Sequence, residues 1–115
     1  MGLRRYELTI DRSTEGAPGA QVRAARPRVS GFEQGFVHIV EAIASEMLEL
    51  YNTTWRVRGR ELSRARFAKR LRLEAAHITS NRTTLYVNAG GLFTDHAIEV
   101  RLGADGTIRE ILLAG

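Results

Sequence analysis

The chain has 115 residues, is 43% hydrophobic and 26% charged, and carries a formal net charge of +4 with no cysteine. Residues 1–115 therefore suit one domain around one core, and the composition excludes wholesale disorder, disulfides, thiolate metal sites and a thiol nucleophile. No apolar run nears the roughly 18 residues that cross a bilayer, and Met1 to Glu7 lacks a signal-peptide core, so a cytoplasmic protein without membrane contact is expected.

Arg5 to Asp11 alternates Tyr6, Leu8 and Ile10 against Glu7, Thr9 and Asp11, the period of a half-buried strand. Arg12 to Gly19 is turn-rich and ends it. Ala20 to Arg26 reads as a second strand, with Gln21, Arg23 and Ala25 facing away from Val22 and Ala24. Ser30-Gly31-Phe32-Glu33, just after Pro27, fits a capping box that opens a long helix. Phe36, Ile39, Val40, Ile43, Met47, Leu50 and Tyr51 recur along it at three- and four-residue steps. The opposite face carries Gln34, His38, Glu41, Ser45 and Glu49. Gly35 costs such a helix about 1 kcal/mol, and the helix is expected to end near Asn52-Thr53-Thr54.

A short helix is expected from Ser63, with Leu62 and Phe67 placed as a hydrophobic staple. Arg64 and Arg66 oppose the helix dipole in its first turn, whereas Lys69 and Arg70 favour it in the last. Strands follow over Leu73–Thr79, Thr83–Asn88, Ala97–Leu102 and Thr107–Leu113, and Asp105-Gly106 signals a hairpin. Ile111-Leu112-Leu113 breaks the alternation of the last strand, which implies a bulge or burial on both faces. The order predicts an α+β fold, with the long helix and the short helix packed on one face of an antiparallel sheet.

From Met47 onward, the helix end Leu48-Glu49-Leu50, Asn52 and Trp55 is followed by Leu71, Leu73 and Glu74. Then come Leu92-Phe93, His96, Ile98, Val100 and the closing Ala114-Gly115. Together these residues resemble an uncharacterised bacterial family, a domain of unknown function. The family pattern reads Leu-Phe-Trp-Gly-His-x-Ile after an acidic turn. Thr94-Asp95 stands here in place of Trp-Gly, and Asn88-Ala89-Gly90-Gly91 in place of the acidic turn. The resemblance implies the same fold order and points to immunity-type proteins encoded beside toxins. It implies no established activity.

Charge is concentrated in one place. Sixteen of the 17 basic residues are arginine, and Trp55 to Arg72 holds eight basic residues against the single acid Glu61, a net +7. The remaining chain, nine basic against twelve acidic residues, stands at −3. In an extended chain Arg56, Arg58 and Arg60 point the same way, Arg64, Arg66 and Arg70 continue the charge onto the short helix, and Trp55 offers a stacking ring. Such a surface suits an acidic protein partner, since arginine is favoured in binding hot spots and charge asymmetry selects partners. It also suits phosphates, which makes nucleic-acid binding the alternative. Pairing with Glu33, Glu41, Glu46 and Glu49 of the long helix would neutralise it instead.

Asp95 and His96, in a Gly-rich loop before a strand, are the candidates for acid–base chemistry in a small hydrolase. A structural His96 bonded to a carbonyl or carboxylate is the competing reading. No nucleophile elbow, P-loop or HExxH motif is present, and no cofactor or metal is expected. The favoured reading is a non-enzymatic bacterial interaction domain, with an exposed strand edge leaving a homodimer open.

Overall fold

Alternating apolar residues and short turns build one five-stranded sheet in the computed structural model, which describes residues 5–11 and 20–114. The strands are β1 (Glu7–Ile10), β2 (Arg72–Ile78), β3 (Arg82–Asn88), β4 (Ala97–Gly103) and β5 (Ile108–Ala114), in the spatial order β1-β2-β3-β4-β5. β2 to β5 form an antiparallel meander, and β1 joins parallel to β2 with Leu8 opposite Ala76 and Ile10 opposite Ile78. The hairpin at Asp105-Gly106 forms as its sequence predicts, with Gly106 at φ +86°. Register shifts bulge β2 between Leu73 and Ala75 and offset β5 against Arg101 and Leu102 of β4. The bulge falls at Arg109, between Ile108 opposite Leu102 and Glu110 opposite Arg101, and explains why Ile108 and Ile111 share a face at odd spacing. Ile111, Leu112 and Leu113 pair in regular register beyond it and are half-buried on both faces of the strand.

Helices cover one face of this sheet: α1 (Ala20–Gln34), α2 (Phe36–Leu50) and the short α3 (Arg64–Lys69), with a π-helical turn at Tyr51–Trp55. The fold is α+β. The apolar stripe of α2 is buried through Phe36, Ile39, Val40, Ile43, Ala44 and Met47. It meets Leu73, Leu85, Val87, Ile98 and Val100 of the sheet in one core. Leu50, expected on that stripe, is exposed; Tyr51, also expected there, does lean onto the core, and Leu48 joins it. The helix does not stop at Asn52-Thr53-Thr54 but widens, with the Arg56 amide donating to the Tyr51 carbonyl at 2.7 Å. No described helix is long and apolar enough to cross a membrane.

The expectations between Ala20 and Ser30 need correction. Ala20 to Arg26 is helix and not strand, because Ala, Gln and Arg are strong helix formers and Ala25, Val29, Phe32 and Phe36 form a helical stripe. Short-range alternation misled the strand reading. Ser30 is consequently inside α1 and caps nothing: its Oγ accepts from Gln34 Nε2 at 3.1 Å. Pro27 lies within the same helix, where it removes one amide donor. Gly35, at φ −89° and ψ 7°, joins α1 to α2, and a Cβ there would sit 3.2 Å from the Gly31 carbonyl oxygen. The turn residues Arg12 to Gly19 lie outside the described residues.

Glu33, freed from capping, accepts a hydrogen bond from the Tyr6 hydroxyl at 2.7 Å, which ties β1 to α1. Burial first, then the bond to Glu33 and its negative charge, hold the Tyr6 hydroxyl above its ordinary value. The neutral phenol is therefore favoured in the folded state alone. Its contribution is complete below about pH 10, where unfolded tyrosine begins to ionise, and is lost as pH rises toward the folded value. Chemical denaturation across this range is expected to show Tyr6→Phe losing less stability than the natural chain on alkalinisation. Equal losses would place the alkaline sensitivity elsewhere.

Candidate interaction surface

The basic segment begins where the π-helical turn ends. Asn52 clamps the loop that follows: its Nδ2 donates to the Leu62 carbonyl at 3.1 Å, and its Oδ1 accepts from the Leu62 amide at 2.9 Å. Between these anchors the chain bends at Gly59, whose φ of +87° suits glycine. The bend corrects the expectation that Arg56, Arg58 and Arg60 lie along one extended run. Arg56 instead folds back, donating to the carbonyls of Asn52 at 3.3 Å and Gly59 at 2.5 Å. Arg58 and Arg60 stay exposed, as does Val57 at 90%.

Ser63 then caps α3, its Oγ accepting from the Arg66 amide at 3.2 Å. The staple forms as expected, with Phe67 fully buried and Leu62 half-buried against the core. Arg64, misplaced for the helix dipole, docks α3 on α2. Its Nη2 donates to the Glu41 carbonyl at 3.0 Å and to Ser45 Oγ at 2.7 Å. Arg70 Nη1 reaches the Gly90 carbonyl at 3.3 Å. All these acceptors are neutral. Among the described residues, every ion pair within 4.0 Å involves other cations: His38, His77, Arg101 and Arg109. Arg58, Arg60, Arg66, Lys69 and Arg72 are exposed, so the +7 segment is not neutralised by the acidic helix.

Trp55 stands beside this segment, half-buried in an aromatic cluster. Its ring meets Phe93 edge-on at 5.6 Å and His96 at 5.5 Å, while the fully buried Phe93 also meets Tyr51 at 5.9 Å and Phe67 at 6.3 Å. Four rings thereby join the helix end, α3 and the loop before β4.

Asp95 and His96 are neighbours in sequence but hold different partners. His96 Nδ1 lies 3.2 Å from the Ala114 carbonyl, which can only accept, so Nδ1 carries the proton. The Thr94 hydroxyl donates to the Phe93 carbonyl at 2.6 Å and lies 3.3 Å from Asp95 Oδ1. Thr94 has φ +58°, a left-handed conformation unfavourable for a β-branched residue. The hollow lined by Glu74, Asn88, Thr94, Asp95 and His96 is only about 70 Å³, well below the scale of ordinary ligand pockets. His38 lies 4.0 Å from Glu41 on α2, and His77 Nε2 lies 2.7 Å from Asp11 Oδ1. No three His, Cys, Asp or Glu residues among those described are placed to hold a metal ion.

Two polar arrangements escaped the sequence reading. Arg28 crosses from α1 to the β2–β3 turn, donating to the Thr79 carbonyl and, at 2.9 Å, to the buried Thr83 hydroxyl. On the opposite face of the sheet from the helices, Arg101 bridges Glu99 at 2.5 Å and Glu110 at 2.8 Å. Glu99 is only 9% exposed there. The strand pairing that sets Arg101 opposite Glu110 was the available signal, but it needs the register. No protein-family model, curated protein or solved structure matches the chain.

Proposed function

We propose that this chain is a non-enzymatic cytoplasmic interaction domain that presents Arg58, Arg60, Arg66, Lys69 and Arg72 to an acidic protein partner. The observation that carries the reading is the unneutralised charge: a +7 segment whose bonds among the described residues all go to neutral acceptors. Arg56, Arg64 and Arg70 hold the scaffold, and the other cations face solvent. Exposed like charges repel one another across this surface, and an acidic partner relieves that repulsion while drawing the encounter by long-range attraction. The resemblance of the C-terminal half supports an immunity-type binder as the particular form. The edge of β5, unpaired among the described residues and with Ile111 to Leu113 half-buried, supports a second copy as an additional partner.

The test is capture of partners from the cell of origin by the natural chain and by an Arg58→Glu/Arg60→Glu/Arg66→Glu variant, with captured proteins identified by mass spectrometry. The three side chains make no bond within the described fold, and an acid at position 66 suits the start of α3, so the unfolding midpoint is expected to stay unchanged. Capture of an acidic protein by the natural chain, with association slowed about tenfold or more in the variant at low salt, is the expected result. Equal capture by both chains overturns the reading. Affinity for mixed oligonucleotides that falls steeply with salt, without any protein partner, transfers the surface to nucleic acid.

A further inference from the structure

A cleft of about 400 Å³ opens between the α1–α2 elbow and the β4–β5 hairpin, away from the arginine segment and within the size range of small-molecule pockets. Phe32, Ile39, Leu102 and Ile108 give it apolar walls, and Arg28 lines it beside Thr83. Arg28 is a half-buried cation whose two hydrogen bonds, to the Thr79 carbonyl and the Thr83 hydroxyl, go to neutral acceptors. Its Nε–H is buried and has no acceptor among the described residues, an arrangement that costs stability unless something supplies one. No carboxylate among the described residues lies within 4.0 Å of its guanidinium. Gly31 lies on the same wall. A Cβ there would meet nothing within 4 Å, so no packing within the described protein demands a glycine in mid-helix, where it is unfavourable.

We infer that this cleft binds a small organic monocarboxylate with an apolar tail, its head toward Arg28 and its tail along Phe32, Ile39, Leu102 and Ile108. The carboxylate supplies the counter-charge that the guanidinium lacks, in a partly desolvated place where a charge-assisted hydrogen bond is strong. Asp105 sits at the hairpin end, its Oδ1 accepting from the Thr107 amide at 3.1 Å and hydroxyl at 2.7 Å. Those two Thr107 bonds, with the charge of Arg109 3.7 Å away, hold the Asp105 carboxyl below its usual range, and Arg109 offsets its charge at the rim. His38 lies on the opposite, helical rim, solvent-exposed.

The experiment is titration of the natural chain with octanoate, and with octanol and octylamine as neutral and cationic matches, followed by calorimetry and by the unfolding midpoint. Octanoate is expected to bind and raise the midpoint, with octanol weaker by about tenfold or more. Arg28→Met is expected to remove the preference for the anion. Because Arg28 also ties α1 to the β2–β3 turn, that variant can lose its fold. Gly31→Leu fills the cleft with Arg28 intact: octanoate affinity is expected to fall about tenfold or more, while the variant's own midpoint stays at or above that of the natural chain. Octanol binding as tightly as octanoate, octanoate binding equally to Gly31→Leu, or no octanoate binding at millimolar concentration each overturns the inference.

Discussion

Phe93→Ala is expected to destabilise the fold by about 3–5 kcal/mol, the range for deleting a fully buried aromatic ring. Phe93 is 0% exposed and is the hub at which Tyr51, Trp55 and Phe67 meet within 5.6 to 6.3 Å. Its removal leaves a cavity bordered by the helix end, α3 and the loop before β4, each held by the rest of the core, so no single segment can relax to fill it. Thermal unfolding monitored through Trp55 fluorescence should show both the lower midpoint and a native emission shifted toward that of exposed indole. Trp55 loses one of its two edge-on partners, keeping His96, and becomes wetter. Phe93→Leu, which keeps most of the volume, should recover more than half of the loss. A loss below about 1 kcal/mol for Phe93→Ala would mean that the ring cluster does not hold the helix end to the sheet.

Asn52→Ala has the second-largest expected effect, about 2 kcal/mol, and reaches the proposed function directly. The Asn52 amide satisfies both backbone groups of Leu62, as a neighbouring strand would, and thereby closes the loop that holds Arg56, Arg58 and Arg60. Leu62 is half-buried, so water can replace part of what alanine removes, and the cost stays below that of two fully orphaned groups. Hydrogen exchange should show the Leu62 amide losing protection, while core amides such as Leu85 change only with global stability. Binding of the acidic partner should weaken as well, because the loop must be ordered again at the moment of association. Asn52→Asp separates the two bonds: the carboxylate still accepts from the Leu62 amide but cannot donate to the carbonyl. Unchanged protection of the Leu62 amide in the alanine variant would show that the loop is held by other contacts.

Much of the fold was legible because it rests on periodicity. The step-three and step-four spacing from Phe36 to Met47 located α2 and its buried face, and Ile98, Val100 and Leu102 located the inward face of β4. Ser63 and Phe67 identified α3 because a cap and a staple are local devices, formed within a few residues. Ala20 to Arg26 failed for the converse reason. Over seven residues, the weak alternation of Val22 and Ala24 competes with the helix propensity of the same segment. The stripe that decides the matter, Ala25 to Phe36, extends beyond that window. The capping box at Ser30 was a valid local pattern in a place where the chain was already helical.

The candidate surface divides in the same way. Composition located the +7 segment, but whether it faced its own acidic helix depended on distances between elements. Arg64 shows the difference. Its charge is unfavourable at the start of α3, and its use, two hydrogen bonds to Glu41 and Ser45 on α2, exists only once the helices dock. His96 likewise was one histidine in a loop until β5 brought the Ala114 carbonyl to it.

The local interactions of this chain, set by neighbours within a few residues, were determined by the sequence alone: the α+β class, the apolar stripe of the long helix from Phe36, the short capped helix, the hairpin at Asp105-Gly106, and a mildly basic protein whose charge is a +7 segment in a chain otherwise at −3. Tertiary structure decided everything that depends on residues far apart meeting. It joined β1 parallel to β2, bent the arginine loop around Asn52, left its exposed cations without carboxylate partners among the described residues, and opened the cleft beside Arg28. The physical reason is range. Periodicity and capping act within a few residues, whereas counter-charges and cavities are fixed only by which elements the whole core brings together.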